Sequence, residues 1–439
     1  MSYLFEKLFK LKKNNTNART ELIAGFTTFF TMSYVIIVCP SILSTGDGIP
    51  FSGALTATIL VSAFSSILMG LVANLPFALA PGMGITAFFT FQIVIDMAVP
   101  WQTALGTVFI SGLIFLFLSI IRVREMIVQA IPDCIRYGVA AGIGLFITLI
   151  GLKEACFIVY SLETLVTFGK FTPKVIIFLA GLAFTVLLVS KKTQGSLLIG
   201  IIFTTVAAYS CGRLWGDEIL VRIPERLVSL PDFSTAFFKL NIIDALRLGM
   251  VGTIFTFFFT DMFDSISTFL GVAQVADLRD GQGQPKNLKL ALLIDAISTT
   301  IAGPLGSSSG TTYIESAAGI ESGGRTGLTA VIVGLLFLPC LYLAPLIEMV
   351  PIFATAPALI LVGLYMIRTL ANIDFTEIDE GFPAFLALIL IPLTYSITQG
   401  ISWSFIFYAF LKVITGQARE IHPMLYVIVI FAALALILV

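Results

Sequence analysis

Two stretches decide how this chain folds: Pro76-Phe-Ala-Leu-Ala-Pro-Gly-Met-Gly84 and Gly303-Pro-Leu-Gly-Ser-Ser-Ser-Gly310. Each interrupts an apolar run. Neither can be an ordinary spanning helix, because proline removes a backbone donor and glycine loosens the chain. Both regions are expected to be extended, with short helices beginning near Ile85 and Thr312. The breaks are assigned to Pro81, Gly82 and Gly84 in the first stretch and to Pro304, Gly306 and Gly310 in the second. Irregular backbone at membrane depth is tolerated only where it is buried in protein or lines a cavity. Two half-helices in matching positions therefore point to a central binding site, toward which their N-terminal amides would aim.

Composition sets the membrane context. Of 439 residues, 58% are apolar and only 12% are charged, and the mean hydropathy is +1.02. So few charges cannot coat a water-soluble protein. Apolar runs of about 20 residues recur from Glu21 onward, each long enough to cross a bilayer, so the chain reads as an all-α, polytopic membrane protein. A net charge of −1, with no basic stretch longer than the lysine cluster between Lys7 and Lys13, excludes a nucleic-acid binder held by phosphate contacts. The five cysteines (Cys39, Cys134, Cys156, Cys211 and Cys340) lack metal-ligand spacing, so neither a metal site nor a structural disulfide is expected. The first apolar segment lacks a small-residue cleavage pattern and is expected to be retained.

About fourteen spanning segments can be read, the third at 82–97 and the tenth at 309–320, with a possible extra segment at 422–439. Lys and Arg collect in cytoplasmic loops. Lys7, Lys10, Lys12, Lys13 and Arg19 put residues 1–20 in the cytoplasm; Arg122 and Arg124 follow the fourth segment, and Lys191 and Lys192 the sixth. The polar interruption at 213–244 reads as an external linker between 21–212 and 245–439, with seven segments on each side. The halves share text. Gly25-Phe-Thr-Thr-Phe-Phe-Thr31 echoes Gly252-Thr-Ile-Phe-Thr-Phe-Phe-Phe-Thr260. The stretch from Ile59 to Gly70 lies on that from Leu292 to Gly303 without a gap, matching Ala63, Ser65 and Gly70 to Ala296, Ser298 and Gly303, with Ser62 opposite Asp295. Similar halves with an odd number of spans have inverted topology, a property of secondary transporters.

Ionisable residues inside spans are functional candidates by default. Asp261 and Asp264 share one face of the eighth segment by their i,i+3 spacing; Asp295 lies within the ninth, and Glu315 begins the short tenth helix. Four carboxylates at this depth are hard to ionise together, which suits groups that take up and release protons. The plainer alternative is hydrogen bonding to backbone near the break, and it weighs more for Asp264 and Asp295 than for Asp261 and Glu315. His422 is far from the cluster in sequence, so no histidine relay is expected. Asp133 and Arg136 read as an interfacial ion pair, Arg325 as a cytoplasmic boundary, and the acidic stretch from Asp374 to Glu380 as a solvated connection. A flat heterocycle suits such a site: aromatic faces cover it, carboxylates accept from its ring N–H groups, and backbone amides donate to its carbonyls. An inorganic anion would be repelled by ionised carboxylates. An intramembrane aspartyl hydrolase would need a motif such as GxGD, which the chain lacks. A continuous channel fits two broken helices less well than a closed midplane site does.

Several motifs together resemble the nucleobase:cation symporter-2 group, in its AzgA-like purine permease branch. They are Ala80-Pro-Gly-Met-Gly84, Thr260-Asp-Met-Phe-Asp264, Thr311-Thr-Tyr-Ile-Glu-Ser-Ala-Ala-Gly319, Gly323-Gly-Arg-Thr-Gly-Leu-Thr329, Phe382-Pro-Ala-Phe-Leu386 and Pro392-Leu-Thr-Tyr-Ser396. The resemblance implies a seven-plus-seven inverted repeat with a core domain (segments 1–4 and 8–11), a gate domain (5–7 and 12–14) and a homodimer in the plasma (inner) membrane. It implies a purine nucleobase substrate (hypoxanthine, guanine or adenine), proton symport with Na⁺ as the alternative coupling ion, no cofactor, and elevator-type movement. By motif match, Asp261 and Glu315 would bind substrate together with Thr86, Ala87, Phe88, Ile314 and Ser316, while Asp264 and Asp295 would stand behind them or couple protons. The chain departs from the branch at Thr86, where the family pattern more often has Asn. An anion exchanger of the same fold is the alternative reading.

Overall fold

The computed structural model describes residues 6, 8–120, 127, 130–214, 219–275 and 287–438; Lys7, Arg122, Arg124 and linker residues 215–218 lie outside them. Asn17 opens α1 (Ala18–Leu43) by accepting from the amides of Arg19 and Thr20. There follow α2 (Phe51–Ala73), strand β1 (Leu79–Ala80), the short α3 (Met83–Asp96), α4 (Trp101–Ile120) and α5 (Asp133–Glu154). A hairpin of β2 (Ile158–Ser161) and β3 (Leu165–Phe168) leads to α6 (Pro173–Ser190) and α7 (Ser196–Leu214). The second half runs through α8 (Val251–Val275), α9 (Leu288–Leu305), β4 (Thr311–Thr312), α10 (Ser316–Glu321), α11 (Gly327–Glu348), α12 (Ile352–Asn372), α13 (Ile378–Thr394) and α14 (Ile397–Ile414). A further helix, α15 (Pro423–Leu438), packs on α14 and α8. Among the described residues, eight helices are long and apolar enough to cross a membrane.

The packing repeats with a period of seven helices. α2 lies on α11 as α9 lies on α4; α6 pairs with α7 as α13 pairs with α14; and α5 packs along α12, its own counterpart. At the centre of this symmetry Ser65 and Ser298, which the sequence aligns, touch through their hydroxyls. Gly70 and Gly327 form a close approach between α2 and α11: a methyl on either would run into the other's carbonyl. The aligned Gly303 presses in the same way on Leu105 and Phe109 of α4. The protein is an all-α, polytopic membrane fold built as a seven-plus-seven inverted repeat.

At the breaks the structure corrects three details. Helix α9 runs through Pro304, whose missing N–H forfeits one bond of the last turn, and stops directly after it at Gly306, whose φ of 95° suits only glycine. Gly84 lies inside the first turn of α3. α10 begins at Ser316, because Thr311 and Thr312 are held extended by antiparallel pairing with Ala80 and Leu79. This two-residue ladder joins the breaks of the two halves.

Residues 229–245 form a strap over the ends of α2, α4 and α9. Asp232 accepts from the hydroxyls of Ser52 (2.7 Å), Ser234 (2.8 Å) and Thr235 (2.7 Å). These bonds outweigh partial burial and hold its carboxyl well below the usual range. Phe238 N donates to Pro304 O and Asn241 N to Gln102 O, both at 2.8 Å. Asp133 pairs with Arg136. The acidic stretch is only partly a solvated connection: Asp379 forms a 2.5 Å ion pair with Lys412, which is 8% exposed.

Candidate functional site

The two breaks brace each other. Tyr313 donates through its amide to Ala78 O (3.0 Å) and through its hydroxyl to Pro81 O (2.5 Å). Ala78 N donates to Ser316 Oγ (3.0 Å), and Gly82 N to Ser309 Oγ (3.1 Å). Thr86 Oγ1 donates to Gly82 O (2.8 Å) and lies 2.7 Å from Ser308 Oγ. Backbone that is irregular at this depth is thereby satisfied by the opposite repeat, as the absence of lipid-side partners demands.

Beside this brace lies a cavity of about 150 Å³, walled by α1, α3, α5, α8, α12 and the segment before α10. Asp264, Ile314 and Glu315 line it, with Tyr34, Thr312, Tyr313 and Tyr365. Glu315 stands just before α10 and accepts from Tyr34 OH at 2.6 Å. Met83 and Gly84 bring the first turn of α3 to the wall, where helix amides have no partner within the helix. Gly82 is glycine for a steric reason. A methyl there would lie 2.8 Å from Thr311 Oγ1 and 3.2 Å from Asp264 Oδ2. The hydroxyl of Thr312 is buried and without a hydrogen-bond partner within the protein, so it is available to a guest. No lysine or arginine is among the lining residues.

The structure divides the carboxylates differently from the sequence expectation. Residues three apart on a helix point about 60° apart, enough to send Asp264 into the cavity and Asp261 toward α9. Asp261 there accepts from Thr299 Oγ1 (2.7 Å), and one turn along Asp295 accepts from Ser265 Oγ (2.5 Å). Each helix thus gives one carboxylate and one hydroxyl to a reciprocal pair of pins. Asp261, expected at the substrate, is not among the cavity's lining residues, and Asp264, expected behind it, is. Thr86, Ala87, Phe88 and Ser316 also lie off the wall. Thr86 and Ser316 serve the brace, Ala87 is fully buried, and Phe88 packs edge-on against Phe257 at 4.9 Å. Of the break residues, Gly82 and Gly84 line the cavity; Pro81, Pro304, Gly306 and Gly310 do not. Sequence reasoning missed Tyr34, Tyr313 and Tyr365, since a tyrosine in an apolar run reads as one more aromatic. Among the described residues no group of His, Cys, Asp or Glu is arranged to hold a metal.

Inverted repeats around a cavity at two cross-braced half-helices define a membrane transporter, not an enzyme. Residues 19–403 match the model described as the permease family, and the chain belongs to that family, in the purine permease branch its motifs resemble. It is 41% identical to the adenine permease AdeP of Escherichia coli, over 99% of this chain and 96% of that one. It is 40% identical to the guanine/hypoxanthine permease PbuO of Bacillus subtilis, over 97% of this chain and 98% of that one. Among solved structures, the transmembrane domain of the cyanobacterial bicarbonate transporter BicA superposes with a TM-score of 0.63 at 18% identity, covering 88% of this chain and 97% of that domain. That likeness is one of fold.

Proposed function

We propose that the chain carries purine nucleobases across the membrane by proton symport. The observation that carries this reading is the convergence of Glu315 and Asp264 with tyrosines in one cavity that has no basic side chain. The two carboxylates accept from the ring N–H groups of a purine, the amides of Met83 and Gly84 donate to its carbonyl or ring nitrogens, and Tyr365 and Tyr313 cover its faces. The names of the relatives support a purine. A small anion, which would suit the bicarbonate transporter's fold, meets two carboxylates here and no cation. Protonation of Asp264 or Glu315 on loading and deprotonation on release would couple H⁺ to substrate, and Na⁺ is the alternative.

In this reading α1–α4 with α8–α11 form a core that carries the site, and α5–α7 with α12–α14 form a gate against which it slides. The denser packing within these groups than between them supports the division. The protein would work as a homodimer in the plasma membrane with a cytoplasmic N-terminus. The test is counterflow by purified protein in liposomes, with hypoxanthine, guanine, adenine, xanthine and uracil at two pH values. The expected result is exchange of purines, driven inward by an imposed proton gradient. Movement of an oxyanion with none of the bases exchanged would overturn it.

A further inference from the structure

The cavity is held open on one side and closed on the other by different parts of the same helices. α1, α3 and α12 contribute Tyr34, Met83 and Tyr365 to its wall; farther along they contribute Ser41, Phe91 and Thr355 to a cleft of only about 10 Å³. Ile314, 50% exposed at the cavity, marks the open side. Next along α3 from Phe91 of that cleft is a buried amide that transport chemistry does not use. Gln92 of α3 is 3% exposed, and its side chain bonds to residues at the start of α14. Its Nε2 donates to Ser396 Oγ (2.8 Å) and Thr398 Oγ1 (3.3 Å), and its Oε1 accepts from Ile397 N (3.0 Å). Thr256 of α8 donates to the same Thr398 hydroxyl at 2.7 Å. The two helices that bring Met83 and Asp264 to the cavity are thus tied to one turn of α14.

We propose that this Gln92 cluster is the clasp that keeps the far side of the site shut, and that it must open each time the cavity changes sides. The chemistry favours a clasp over general packing. Nearby contacts between α8 and α14, Phe259 and Phe263 on Phe405, are ring against ring at 5.5 and 6.3 Å, and apolar rings can slide past one another at little cost. An amide bonded to two hydroxyls and a backbone N–H satisfies all of them in one register, and opening it without water strands each group at the cost of an unmade hydrogen bond. Such an element has two states, closed and hydrated. The inference rests on the sliding-core reading above.

The experiment is site-resolved labelling in proteoliposomes. Ser41, 5% exposed in the closed cleft, becomes the reporter through Ser41→Cys, and reaction of that position with a membrane-impermeant maleimide is read by peptide mass spectrometry. Gln92→Leu, close in volume, and Thr398→Val, which removes one hydroxyl, should each raise the labelling rate, the first by about tenfold, as expected for the loss of about 1.4 kcal/mol of hydrogen bonding. Unchanged labelling in both, in protein that still elutes as a single species, overturns the clasp; should Gln92→Leu fail to fold, Thr398→Val decides. Adding hypoxanthine to the Ser41→Cys parent separates this result from the wider reading. If purine leaves parental labelling unaltered, the transport reading fails; if purine alters it while Gln92→Leu does not, the clasp alone fails.

Discussion

The first break, at residues 76–84, and the second, at 306–315, share a backbone plan and divide the chemistry between them. Each leaves a helix, runs extended for two paired residues and enters a short helix, and the paired strands are each other's partners. Their linings differ. The first contributes Gly82, Met83 and Gly84, that is, backbone and an apolar side chain; the second contributes Thr311, Thr312, Tyr313, Ile314 and Glu315, polar in all but Ile314. The same asymmetry holds in the flanking helices, where Ser62 of α2 stands opposite Asp295 of α9. An inverted duplication therefore supplied the backbone plan twice, while the two carboxylates that line the cavity, Asp264 and Glu315, both come from the second repeat.

The sharpest way to break this comparison is at its most chemical residue. Glu315→Gln keeps an acceptor for Tyr34 but removes the charge that strengthens hydrogen bonds to a substrate N–H. Purine uptake should fall about 100-fold, the equivalent of 2–3 kcal/mol for a charged partner, with normal amounts of protein in the membrane. The first break should respond to shape. Gly82→Ala puts a methyl against Thr311 and Asp264, and overpacking of about 1–2 kcal/mol predicts an affinity loss near tenfold, measured as KM for uptake.

The strap at residues 229–245 should give the smallest effect, and one of stability. Asp232→Ala removes three hydroxyl and two backbone N–H hydrogen bonds from a half-buried, partly screened group, so thermal unfolding in detergent should shift down by about 2 °C at pH 7. The pH dependence has a definite sign. The folded carboxyl is depressed, so its contribution is present above the unfolded carboxylate value and is lost as pH falls through the folded one. The gap between parent and variant should close in strong acid.

Much of this was legible in the chain. Pro76, Pro81 and Gly82 announced the first break, and the text shared between Ile59–Gly70 and Leu292–Gly303 announced the symmetry that Ser65 and Ser298 complete. Glu315 stood out as a charge in an apolar run. What stayed hidden depended on azimuth and on partners distant in sequence. Spacing put Asp261 and Asp264 on one face, but only the position of α9 separates them, since Thr299 takes Asp261 and leaves Asp264 to the cavity. Tyr34 became visible only through Glu315, 281 positions away. Gln92 carries no charge and was passed over for that reason, although a primary amide at membrane depth needs partners as surely as a carboxylate does.

The central claim is that the second repeat binds through Asp264 and Glu315, with Asp261 serving the α8–α9 pins. Equilibrium binding of radiolabelled hypoxanthine to purified Asp264→Asn and Asp261→Asn proteins tests it most directly. Asn at 261 still accepts from Thr299, so that variant should bind within about threefold of the parent, while Asn at 264 should lose about 30-fold or more. Parental binding by Asp264→Asn together with loss in Asp261→Asn would contradict the account.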